Sequence, residues 1–188
     1  MRTFIAILVI GTLIMGCQQS PRKQFYLLSA TESAYASGKI TQVIGLGPIE
    51  IADYLQRPQL IVKHDQNSLQ MAENAYWGEP LKEGIARVLA VNLMNHQPSR
   101  LVEIFPWRSD NRPVVSIRLR IHELHTMDGN AVMNASWALV NNSNKQTLAQ
   151  FHYQGKATSS SNPREVANAY SSLLKELAAE MNSALTSL

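Results

Sequence analysis

The sequence predicts an α/β fold: a mixed sheet with an antiparallel C-terminal meander and two main amphipathic helices packed on it. Three observations carry this. Val115, Ile117, Leu119 and Ile121 alternate with Ser116, Arg118, Arg120 and His122, a period of two that buries one face of a strand. Leu81, Ile85, Val88, Leu89 and Leu93, and later Val166, Tyr170, Leu173, Leu174, Leu177, Met181 and Leu185, recur at helical spacing and trace two apolar stripes. Strand candidates also outnumber those that alternating βα units would supply, so part of the sheet must be antiparallel.

The chain opens on one charge, Arg2, and an apolar run over residues 4–15, the pattern of a secretory signal. The run is shorter than the roughly 20 apolar residues that span a bilayer. It stops at Gly16-Cys17, after which Gln18, Gln19, Ser20, Pro21, Arg22 and Lys23 are polar or turn-forming. Leu13-Ile14-Met15-Gly16-Cys17 resembles the bacterial lipobox, with cleavage expected between Gly16 and Cys17. Cys17 is the single cysteine of the 188 residues, so no thiol remains for a disulfide. By analogy with lipoproteins it would carry a diacylglyceryl group on sulfur and an acyl chain on nitrogen; several chains together anchor stably where one binds marginally. Residues 1–16 are thus expected to be the signal, 17–24 a lipidated tether and 25–188 a single domain. Without Arg2 the balance is 16 Lys plus Arg against 14 Asp plus Glu. No clustered basic face accompanies it, which argues against nucleic-acid binding.

Along the body, residues 25–29 read as a short strand and 41–51 as a strand whose Gly45, Gly47 and Pro48 suggest a bulge or an edge position. Residues 52–58 should turn the chain before a strand at 59–64, with a weak strand at 68–72 pairing across Asp65-Gln66-Asn67. Glu79-Pro80 signals a helix to about residue 95, with Pro80 in its first position. Gln97-Pro98 closes it, and 100–105 is a further strand. After the 115–122 strand, Asp128-Gly129 makes a hairpin turn. Strands at 131–140 and 146–156 complete the meander, with Phe151 and Tyr153 on one parity. Asn162-Pro163-Arg164-Glu165 caps the closing helix.

Catalytic, cofactor and metal signatures are weak. His122 and His125 would face opposite ways on a regular strand and could not share an ion. Gly45-Leu46-Gly47-Pro48 lacks the third glycine of a dinucleotide loop, and its proline removes an amide that a phosphate would need. No Gly-x-Ser-x-Gly elbow occurs, and Glu50, Asp53, Glu79 and Glu83 read as surface carboxylates. No enzyme activity is expected. Trp77 admits two readings: a packing residue at the start of the first helix, or an exposed aromatic anchor on a partner surface.

Ile44-Gly45-Leu46-Gly47-Pro48-Ile49-Glu50-Ile51, with Tyr54-Leu55-Gln56-Arg57-Pro58-Gln59-Leu60 after it, resembles the ABC-type transport auxiliary lipoproteins, the paraquat-inducible PqiC family. Trp77-Gly78-Glu79-Pro80-Leu81, followed by Arg87, Leu89, Asn92 and Leu93, is similar to the same family, as are the lipoprotein start and the Tyr26-Leu27 strand. Ala52 and Gln56 depart from it, standing where proline and aspartate are frequent. The resemblance implies a component that works beside MCE-domain (PqiB-like) proteins and their inner-membrane partners, with Trp77, Glu79, Pro80, Arg57 and Pro58 as motif or interface residues. Gln18 after the cysteine favours the outer membrane, facing the periplasm. A homo-oligomer is a further expectation, and a domain that itself holds a lipid or other apolar ligand is the alternative.

Overall fold

The computed structural model describes residues 21–32, 39–63, 65 and 67–188. These form strands β1 (Gln24–Tyr26), β2 (Gln42–Ile51), β3 (Gln59–Lys63), β4 (Leu69–Trp77), β5 (Arg100–Ile104), β6 (Val115–Met127), β7 (Asn130–Asn141) and β8 (Gln146–Thr158). The helices are α1 (Leu81–His96) and α2 (Pro163–Thr186), and a 3-10 turn spans Asp53–Gln56. The expected mixed α/β architecture is present, but the strands divide between two sheets. The larger has the order β5-β2-β6-β7-β8 and the smaller β1-β4-β3.

In the larger sheet β5, β2 and β6 run parallel, and β6, β7 and β8 form the antiparallel meander. Period-two burial holds along β7, where Ala131, Met133, Ala135, Trp137 and Leu139 are buried and the residues between them are half-exposed. The two helices lie against this sheet: α1 contacts β5 and β2, α2 contacts β8 and β7, and the helices touch each other. Their predicted stripes are the core, with Ile85, Val88, Leu89, Leu93, Leu173, Leu174, Leu177 and Met181 all fully buried.

Of the two alternatives for the glycine-proline segment of β2, a bulge or an edge position, the structure has the first. The β2–β6 register shifts between Leu46 and Ile49, so a bulge is present. The edge position is corrected: β2 lies between β5 and β6, and the bulge is what accommodates Pro48 inside a sheet. Gly45 is required by a close approach, since a Cβ there would collide with the Trp107 ring. Gly47 holds φ +122, a region that side chains disfavour.

Other boundaries move. Gln24, expected in the tether, pairs with Ala75 in β1, which ends at Tyr26. The weak 68–72 strand extends to Trp77, because beyond the Asn74 irregularity its end gains β1 as a partner. Asp65 closes the β3–β4 turn by accepting from Asn67 N and Ser68 Oγ. Pro80 is not the first helical residue; with ψ 131 it caps α1, its carbonyl accepting from Glu83 N and Gly84 N. Asn162 caps α2 as expected, its Oδ1 accepting from Arg164 N at 2.9 Å. Asp128 and Gly129 both take positive φ, as a two-residue hairpin demands.

Candidate functional site

The motif residues converge where β1, β4 and the two helices meet. Trp77 ends β4 at 8% exposure and stacks on Tyr170 of α2, ring centroids 6.0 Å apart. Its amide donates to Pro58 O, and Gly78 N donates to Tyr26 O. The packing reading of Trp77 therefore holds, and the exposed-anchor reading is corrected. Leu55, Gln59, Ile61, Leu81 and Tyr170, all from other elements, line a small cavity with the indole.

Glu79 and Arg87 sit beside it. Arg87 Nη2 lies 2.5 Å from Glu79 Oε1 and donates to Leu28 O at 2.8 Å, so one guanidinium joins the start of α1 to the segment leaving β1. Gly84 makes room, because a Cβ there would stand 3.1 Å from Glu79 Oε1. The same segment is clamped by both helices: Ser29 N donates to Ser171 Oγ, Thr31 N to Asn92 Oδ1, and Asn95 Nδ2 to Thr31 O. Asn92, which falls outside the predicted apolar stripe, is accordingly buried. Arg57 and Pro58 are exposed on the loop after the 3-10 turn, and the Pro58 carbonyl joins the junction by accepting from Trp77 N. The motif is thus a structural junction, with Arg57 left at its surface.

A second junction was not visible in the sequence. Arg100 begins β5 at 2% exposure and donates to Gln42 Oε1 (2.7 Å), Leu93 O (3.3 Å) and Asn182 Oδ1 (2.9 Å). Burial pulls its pKa below the usual arginine value. These three acceptors are all neutral, one of them a carbonyl in the last turn of α1, where the helix dipole favours a cation.

The outer face of the larger sheet carries polar pairs. Glu50 Oε2 accepts from Arg120 Nε at 2.7 Å, and His122 Nε2 lies 2.8 Å from Ser136 Oγ. The expected opposition of His122 and His125 is corrected. A bulge between Ile121 and Glu123 inserts one residue, so both histidines fall on the outer side of β6. Among the described residues no group of three or more His, Cys, Asp or Glu could hold a metal ion. His125 is buried, and desolvation, followed by the nearby Lys63, lowers its pKa against an opposing pull from Glu123. Past Ile51, β2 turns away and the Tyr54 hydroxyl takes up the Leu124 amide of β6.

Two apolar features remain open to solvent. Phe151 is exposed and stacks at 4.1 Å on the buried Trp137; with Ala179, Ser183 and Ala184 they line a groove between the larger sheet and the C-terminal half of α2. On the smaller sheet Phe25 is 66% exposed beside Tyr76, whose ring lies under Lys23, and Leu27, just past β1, is 55% exposed. Among the described residues no helix is long and apolar enough to cross a membrane. Cys17 and His64 lie outside the described residues.

Comparison with known proteins agrees with the motif residues. A search of curated protein sequences gives no match. Among solved structures, an uncharacterized protein covers 88% of this chain and 99% of its own at 18% identity and TM-score 0.69. Protein XCC0632 from Xanthomonas campestris, of family DUF330, is 15% identical with TM-score 0.67, over 85% of this chain and 92% of its own. The hypothetical protein CT253 from Chlamydia trachomatis is 7% identical with TM-score 0.51, over 79% and 100%. At these identities the likeness is one of fold. The family described as ABC-type transport auxiliary lipoprotein component matches residues 26–182, which takes in both junctions, and the chain belongs to that family.

Proposed function

We propose that this protein is an outer-membrane lipoprotein, acylated on Cys17 and facing the periplasm, that serves as a docking subunit for an MCE-type intermembrane lipid-transport assembly. The observation that carries the reading is the family match over residues 26–182, joined to the Gly16-Cys17 lipobox that precedes it. Gln18 in place of an aspartate supports the outer membrane. The role is non-catalytic: Glu79 and Glu50 are engaged by arginines in structural pairs, which leaves them poorly suited to acid–base work. Cross-linking of the lipidated protein in cell envelopes, followed by mass spectrometry, tests the reading. Recovery of an MCE-domain protein is expected; recovery of self cross-links alone would remove the transport assignment and leave a lipoprotein that self-associates.

The open groove at Trp137 and Phe151 favours a second reading, in which the domain itself holds an apolar ligand. Native mass spectrometry of the gently purified protein would then show a bound lipid that is lost in Phe151→Asp.

A further inference from the structure

We infer that the outer face of the smaller sheet is a membrane-contact surface, built to lie on anionic lipid headgroups. Phe25 and Tyr76 occupy paired positions of β1 and β4, and their rings are 5.9 Å apart. Lys23 Nζ sits 5.3 Å from the Tyr76 centroid, a cation–π contact. Leu27 continues the patch across Gly78, where a Cβ would stand 3.1 Å from its Cδ2. Arg22 and Lys23 are both exposed at its margin. Large aromatic and aliphatic side chains flanked by lysine and arginine are the composition of a membrane–water interface, where the rings sit at headgroup depth and the cations meet lipid phosphates.

The length of chain up to the anchor selects this occupant over a protein. The inference rests on acylation of Cys17. Lys23 follows Cys17 by six residues, and at about 3.3–3.6 Å per residue it reaches no further than roughly 20 Å from the lipidated cysteine. The patch is therefore the part of the described body most tightly confined to the bilayer surface, and it is also where Phe25, the most exposed phenylalanine of the described residues, stands beside an exposed Leu27. An apolar patch rimmed by cations and held at a membrane is matched by the membrane itself.

Once Cys17 is acylated, an introduced cysteine is the single reactive thiol. The test uses the full lipidated protein in vesicles of phosphatidylethanolamine and phosphatidylglycerol, with an environment-sensitive fluorophore on Leu27→Cys or, at the remote β7–β8 turn, on Ser143→Cys. Emission from the Leu27 site should shift to shorter wavelength and be lost when brominated lipid is included, while the Ser143 site stays unchanged. The shift should disappear in the Lys23→Glu/Phe25→Glu background, whose folding is checked by circular dichroism. If the two sites report equal exposure to water while mass spectrometry shows Cys17 acylated, the membrane face is overturned and the lipoprotein reading stands. An unmodified Cys17 would overturn both.

Discussion

The two arginine junctions do similar structural work by different physics. Arg87 ties α1 to the segment after β1 by donating to Leu28 O while the Glu79 carboxylate at the start of α1 balances its charge, and both charged side chains keep contact with solvent, at 43% and 29% exposure. Arg100 ties α1, α2, β2 and β5 from inside the protein, using neutral acceptors. The first junction belongs to a recognisable motif and the second to none. A charge that keeps its counterion near water is inexpensive and forgiving, whereas a buried charge held by neutral groups is committed to a single geometry.

The hydrophobic part of the first junction should dominate its ion pair. Trp77→Ala removes the stack on Tyr170 and opens a cavity, and is expected to cost about 3–5 kcal/mol in urea unfolding. Arg100→Met should come next, at about 2–3 kcal/mol, because Leu93 O and the Gln42 and Asn182 side chains lose their donor in a buried site. Adding Asn182→Leu to Arg100→Met should recover part of that loss, a non-additivity that a double-mutant cycle would read. Glu79→Gln should cost only about 1 kcal/mol, given the exposure of the pair, and less in high salt. A salt-insensitive Glu79→Gln effect larger than that of Arg100→Met would break the comparison.

The smallest expected effect lies in pH. Burial and Lys63 hold the folded His125 imidazole below its ordinary value of 6.5. The unfolded chain therefore takes up that proton first, so the stability contribution is complete above about pH 6.5 and is lost as pH falls toward the folded value. His125→Gln should flatten the fall in unfolding free energy by up to roughly 1 kcal/mol per pH unit. An unchanged pH profile would show that His125 stays solvated.

Elements with strong periodicity were legible. The stripes of α1 and α2 and the alternation of β6 from Ile117 to His122 each repeat over several turns or residue pairs, so local sequence suffices to assign both element and buried face. The β2 bulge was legible from its glycines and proline, but its place inside the sheet was not, since sheet order is set by partners distant in sequence. Pro80 carried a true start signal and was misplaced by one residue, within the ordinary uncertainty of a helix end. The His122–His125 geometry failed because one inserted residue reverses strand parity, and no glycine or proline marks it. Trp77 was legible as a junction residue, but which way its ring turned depended on Tyr170, far along the chain.

The sequence by itself determined the helices, the meander, the lipobox and the motif segments, because each is written in neighbours close along the chain. Tertiary structure alone decided the split into two sheets and the burial of Arg100. It also decided the convergence of Trp77, Glu79 and Arg87 on Leu28, and the exposure of Phe25 and Leu27 beside Tyr76. The physical reason is that hydrophobic burial is not directional: a short apolar run such as Phe25-Tyr26-Leu27 carries the same local signal whether a core, a partner or a membrane covers it.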